Sequence, residues 1–200
     1  MIHPNKSMKF NSSAALLLFL CISLSLIPSG CSEKSTENTT SIQPVDLLPA
    51  SNEISGWSKG TGAGDYGEAD DQSSLYDLID GAAELYIQYG FVQGVLQNYQ
   101  GTIGGAASTL SLFIADQGSS NNATALFNEE LVVPSGLTPW NSGVAAIDEA
   151  VIDEALLFDI AIYLRADRFF IRIIIGKGSD EVAALNTAED FALAIANKIG

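Results

Sequence analysis

The chain has 200 residues, 24 of them acidic against 9 basic, a formal net charge of −15, and only 2 cysteines and 1 histidine. So acidic a surface repels nucleic acid and anionic lipid headgroups. His3 and Cys21 fall in an N-terminal leader and Cys31 in a lipidation motif. The remainder therefore offers no disulfide, thiol nucleophile, serine-histidine-aspartate triad or usual zinc ligand set, only carboxylate chemistry and oxygen-ligated cations.

Lys6 and Lys9 precede an apolar run from Ala14 to Ile27 that ends in Pro28-Ser29-Gly30-Cys31. A positive segment, an apolar stretch too short to span a bilayer and a cysteine after small residues define a lipoprotein signal peptide over residues 1–30. Cys31 is then the acylated first residue, anchoring the protein on the extracytoplasmic side. With Ser32 next, that means an outer membrane where the cell has one. Pro28 stands where such motifs usually carry leucine. Residues 31–52 are rich in Ser, Thr, Asn and Glu and are expected to form a disordered tether. Residues 53–200 suffice for one domain. Loss of Lys6 and Lys9 leaves 7 of the 9 basic residues against 24 acidic ones, a formal charge of −17, which favours cations, neutral molecules or basic proteins as partners.

Asp65, Glu68, Asp70 and Asp71 cluster in a Gly-rich loop around Tyr66. Oxygen-rich loops bind calcium, but the alternating Asp/Asn spacing and terminal Glu of the common calcium loop are missing, and a solvated acidic loop is the expectation. From Ser74 to Phe91, Leu75, Leu78, Ile79, Ala82, Leu85, Tyr86 and Tyr89 recur at steps of three and four, which predicts a helix with one buried face. Ser74 with Asp77 forms its capping box, Gly90 closes it, and Asp80-Gly81 marks a kink. Asp80 and Glu84 are a like-charge pair one turn apart. A pair of that kind raises one pKa and sets an acid beside a base, as a carboxylate-dependent hydrolase needs.

Gly56-Trp57, Tyr66-Gly67, Leu75-Tyr76, Ile79-Asp80-Gly81-Ala82-Ala83-Glu84-Leu85-Tyr86 and Tyr89-Gly90-Phe91 together resemble the signature of a family of bacterial secreted and lipid-anchored proteins to which no activity is attached. That signature usually reads I-N-G-G-A-E-L-Y at its centre, so Asp80 and Ala82 depart from it. Ala115-Asp116 followed by Ser119 to Phe127 resembles its strand-then-helix segment, with Ala125 replacing the usual glycine. The resemblance spans residues 45 to 199 and implies an envelope location.

Val92 to Gln100 and Thr109 to Asp116 read as a hairpin about the Gly-rich turn 101–107. Ser119 or Ser120 caps a short helix carrying Ala123, Leu126 and Phe127, which ends near Glu130. A loop with Pro134, Pro139 and Trp140 follows, Trp140 acting as a lid over the core. The near-repeat AIDEA-VIDEA over 146–155 fits neither period cleanly and is read as a strand with a solvated acidic edge. Beyond it, Ala166-Asp167, or a loop from Arg165 to Arg168, turns a second hairpin. It pairs Leu164 with Phe169, Ile162 with Ile171, Ile160 with Ile173 and Phe158 with Ile175. Its other face carries Tyr163 and Arg172, either an anchor for an anionic ligand or ion-paired with Asp159. Ser179 caps a C-terminal helix with Val182, Leu185, Phe191, Ile195 and Ile199 as its apolar stripe and a break near Asn186.

These elements define an α+β domain, an antiparallel sheet with helices packed mainly on one face; a parallel α/β arrangement is the alternative. No cofactor motif is present. The expected function is a non-catalytic, lipid-anchored domain that binds a small ligand or another envelope protein. Its ligand groove would lie beside the central helix, lined by Tyr66, Glu84, Tyr86 and Tyr89. The hydrolase built on Asp80 and Glu84 is the alternative.

Overall fold

A computed structural model describes residues 41–200. The leader and Cys31 lie outside the described residues. Eight strands form one antiparallel sheet: β1 (Ser58–Lys59), β2 (Tyr66–Ala69), β3 (Gln93–Ile103), β4 (Ala106–Asp116), β5 (Thr138–Pro139), β6 (Glu149–Asp153), β7 (Asp159–Ala166) and β8 (Phe169–Gly176). Their order is β1-β3-β4-β8-β7-β6-β5, with β2 also paired to β3. Four α-helices accompany them: α1 (Gln72–Ile79), α2 (Ala83–Gln88), α3 (Ser120–Phe127) and α4 (Glu181–Ile199). The domain is α+β, as its alternation of hairpins and helices predicts.

Period-two alternation gives the central strands two apolar faces. On one, Leu110, Leu112 and Ile114 of β4, Ile160, Ile162 and Leu164 of β7 and Phe169, Ile171, Ile173 and Ile175 of β8 meet Phe191 and Ile195 of α4. On the other, Phe113, Ala115, Ala161, Tyr163 and Phe170 meet Leu75, Tyr86, Leu126 and Phe127. Three of the four helices thus share one face, while α4, 19 residues long, lies on the other. Neither face of the central strands is left to water.

The register of the β7–β8 hairpin differs from expectation. Ala166 pairs with Phe169, Leu164 with Ile171, Ile162 with Ile173 and Ile160 with Ile175, a slip of two residues that keeps every apolar side chain on its face. The tip is Asp167-Arg168, with Asp167 at φ +50°. Aspartate tolerates that left-handed conformation, and Ala166 stays in the strand. The β3–β4 hairpin also runs further than the Gly-rich sequence suggests. Both strands continue to a two-residue turn at Gly104-Gly105, each at positive φ.

The tether ends earlier than expected. Pro44–Leu47 forms a 3-10 turn, and Leu47 and Leu48 enter the α4-side core. The Tyr99 hydroxyl donates to the Pro49 carbonyl at 2.8 Å, and Lys198 Nζ donates to the Leu48 carbonyl at 2.9 Å. Averaging over a polar stretch hides the run Val45-Asp46-Leu47-Leu48-Pro49, whose apolar residues are enough to dock. The boundary placed at residue 52 therefore moves upstream, and residues 43–52 belong to the domain.

The long helical segment breaks where Asp80-Gly81 predicts, into α1, a 3-10 turn over Asp80–Ala82, and α2. Its N-cap is Asp71 rather than Ser74. The Asp71 carboxylate accepts from the Ser74 N–H at 2.8 Å, and Ser74 occupies the third helical position. Asp80 adopts φ 54°, ψ −140°, a region glycine populates freely and other residues at a cost of about 1–3 kcal/mol. Gly90, at φ +86°, closes α2. Asp180, not Ser179, caps α4, which runs unbroken through Asn186. Its buried face is Ala184, Ala188, Phe191, Ala192, Ile195 and Ala196, while Val182 is 70% exposed. Residues 149–153 form a strand, and Trp140 packs against the α4-side core.

Leu47 is fully buried. Leu47→Ala should cost about 2–5 kcal/mol in urea unfolding, whereas a disordered tether would show no change. A chain trimmed to begin at residue 53 should be destabilised at least as much.

Candidate functional site

The structure gathers three of the sequence-derived candidates on the sheet face that α1, α2 and α3 cover, namely Tyr86, Tyr163 and Arg172. The two-residue register change sets Tyr163 directly opposite Arg172, and Phe113 of β4 is paired with Arg172 on its other side. Arg172 Cζ lies 5.9 Å from the Phe113 ring centroid, a distance at which a cation is held by the ring face. Tyr86, from α2, packs edge-on against Phe113 at 5.4 Å and Phe170 at 5.7 Å. This aromatic seat fixes the ring, so the hydroxyl cannot swing elsewhere.

The electrostatics of this cluster are unusual for the chain. Arg165 pairs with Asp148 and Glu149, Arg168 with Asp116, Lys177 with Glu181 and Lys198 with Glu53. Among the described residues, Arg172 and Lys59 form no ion pair. The expected pairing of Arg172 with Asp159 is absent, since Asp159 stands opposite Gly176 at the strand end. The Tyr86 hydroxyl is buried without a hydrogen-bond partner. Burial pushes its pKa up to about 12, partly opposed by the nearby Arg172 charge. Tyr163 is pushed in the same direction by burial, opposed by Arg172 and reinforced by Asp153. Phe113 and the buried Asp153 are the members sequence reasoning missed. The signal for Asp153 was its alternation with Ile152 in β6, which turns it onto the Tyr163 face.

The other candidates do not join them. Adding a Cβ at Gly67 would meet Leu78 of α1, so Gly67 faces that helix, and alternation sends Tyr66 and Glu68 to the opposite face of the sheet. The Tyr66 hydroxyl donates to Glu68. Glu84 is exposed and accepts from the Tyr76 hydroxyl, and the Tyr89 hydroxyl donates to Glu129 at 2.8 Å. The groove expected from Tyr66, Glu84, Tyr86 and Tyr89 is therefore not formed. Asp80 is exposed, and no hydrogen bond joins its carboxylate to Glu84 or to any other described residue. The two acids do not face each other across a cleft.

Nor does the acidic loop converge. Asp65 Oδ2 accepts from the Gly62 N–H at 2.7 Å, and Asp71 is spent on the α1 cap. Glu68 and Asp70 line a separate cleft with Gln43 and Gln93. Among the described residues no group of three or more potential metal ligands comes together, and no helix is long and apolar enough to cross a membrane.

No protein family, curated protein or solved structure matches this chain.

Removing the orphaned hydroxyl with Tyr86→Phe should raise stability by about 1 kcal/mol, because a buried polar group without a partner costs more than its absence. The sign with pH follows from the raised pKa. The stability carried by the neutral phenol is complete below pH 10.0 and is lost as pH climbs through about 12. Denaturation curves between those values should fall less steeply for Tyr86→Phe than for the parent chain.

Proposed function

We propose that this protein is a non-catalytic binding domain, held outside the cytoplasm by a lipid on Cys31, that takes a small ligand through an anionic group. The observation that carries the reading is Arg172. In a chain this acidic, a half-buried arginine without an ion pair is a standing attraction for an anion. Tyr163 opposite it and the partnerless Tyr86 hydroxyl supply donors of the right kind, and Phe113 supplies an apolar wall. Sites of this composition, mostly apolar with a few convergent polar groups, suit small organic ligands. The surrounding negative charge disfavours polyanions, so a compact carboxylate or phosphate ester fits better than a nucleic acid.

The absence of histidine and of a free thiol from the mature sequence supports binding over chemistry. The signal sequence and the resemblance to secreted, lipid-anchored proteins support the location. A protein partner in the envelope would meet the same surface through an acidic side chain or a C-terminal carboxylate.

Thermal unfolding of the Ser32–Gly200 protein against a panel of carboxylates and phosphate esters tests the ligand. Saturation at about a hundred times Kd adds about 2.7 kcal/mol, and Arg172→Gln should abolish that gain while leaving the ligand-free stability nearly unchanged. A gain that survives Arg172→Gln would place the ligand elsewhere. For the anchor, Cys31→Ser should move the protein from the membrane fraction to the soluble one; retention in the membrane would refute acylation at that residue.

A further inference from the structure

We infer that Asp80-Gly81 is a self-modifying site, a turn whose backbone is set to close the aspartyl side chain onto the next amide as a succinimide. Asp80 has ψ −140°, and because Cβ is displaced by about 120° from the backbone nitrogen around the Cα–C bond, the torsion from Cβ to the Gly81 nitrogen is about −20°. Those two atoms are nearly eclipsed, which is the arrangement a planar five-membered ring requires. In an ordinary helix or strand the same torsion lies far from zero. The Asp71 N-cap, at ψ 177°, is about 60° from eclipsed. The fold has thus frozen, at Asp80, the rotation that normally has to be found by chance.

The surroundings favour the step. Asp80 is exposed, and its carboxylate accepts no hydrogen bond from a described residue, so Cγ is free to swing toward the amide. Residue 81 is glycine, so no side chain of its own shields the nucleophilic nitrogen, and nothing lies within 4 Å of where a Cβ there would be. The chemistry balances with water alone. The Gly81 amide nitrogen attacks Asp80 Cγ of the protonated carboxyl group. The amide proton leaves with the carboxyl hydroxyl as water, and the Cγ–N bond closes the ring. Water then adds to either ring carbonyl. Cleavage of the Cγ–N bond returns aspartate. Cleavage of the bond from the nitrogen to the backbone carbonyl carbon gives isoaspartate, in which the chain runs through Cβ and Cγ.

The ring fixes ψ close to the value Asp80 already holds, so the succinimide fits the native turn without displacing α1 or α2. Isoaspartate does not. It adds one methylene to the link between α1 and α2, and α2 carries Tyr86. The modification therefore bears on the position of the Tyr86 hydroxyl, independently of whether a ligand binds there.

The test is to incubate the Ser32–Gly200 protein, folded and in urea, and follow the peptide containing Asp80 by mass spectrometry. The readouts are loss of one water and, by fragmentation, isoaspartate. The eclipsed turn predicts that Asp80 cyclises about tenfold faster in the folded chain than in urea, the reverse of the protection folding usually gives, while Asp71 stays unmodified. Asp80→Asn should lose ammonia in place of water and react faster still. Asp80→Glu, unable to close a five-membered ring, should stay intact, and Gly81→Ala should slow the reaction about tenfold. Asp80 is exposed and a Cβ at Gly81 meets nothing within 4 Å, so the variants are expected to fold. Equal or slower cyclisation in the folded state, or an Asp80→Asn protein that keeps its amide when folded, would overturn the inference.

Discussion

A sheet that is apolar on both faces must be covered on both, and that constraint organises this molecule. The alternating residues of β4, β7 and β8 leave no polar face to turn toward water. One cover is a single long helix, α4, whose run of alanines lets it lie close to the isoleucine ridges beneath. The other is assembled from short pieces, α1, α2 and α3. Short pieces leave seams, and the polar cluster of Tyr86, Tyr163 and Arg172 lies beneath one of these covers.

The ends of the strands are managed by charge. At the β7–β8 tip, Arg168 reaches Asp116 at 2.7 Å and also donates to Ser41 and the Ile42 carbonyl. Arg165 holds Asp148 and Glu149. These contacts take carboxylates that would repel one another and set them about a few guanidinium groups. Exposed pairs of this kind stabilise weakly, but Asp116 is 4% exposed, and a buried carboxylate needs its partner. With two of the three arginines committed in this way, the third stands out by contrast.

How much of this was legible in the sequence depends on which physical quantity each feature follows. Faces follow period two, and the inward residues of β7 and β8 are readable at sight. Register does not, because a slip of two preserves every face. The tip is fixed instead by the tolerance of Asp167 for positive φ, which leaves Ala166 in the strand. Of the apolar stripe on α4, Phe191 and Ile195 are buried and Leu185 and Ile199 pack against the core, but Val182 faces solvent, because the close approach to the sheet selects the small Ala184 and Ala188. Residues 43–52 are polar on average, yet two adjacent leucines are enough to dock them. Of the candidate site, Tyr163, Arg172 and Tyr86 were identifiable by chemical type. That Tyr66 and Tyr89 belong elsewhere depends on strand alternation at Gly67 and on a contact to Glu129, 40 residues away, which no local pattern encodes.

The earliest and latest parts of the domain complete each other. Leu47 and Leu48 settle against α4, and Lys198 donates to the Leu48 carbonyl across 150 residues of sequence. A chain emerging from the ribosome therefore holds one wall of its core open until α4 has been made. Contacts so distant in sequence slow closure, and the sheet cannot seal on the α4 side in the interval. The step that locks the domain into its compact form is therefore also the last, because the isoleucine face has no helical cover until α4 settles on it.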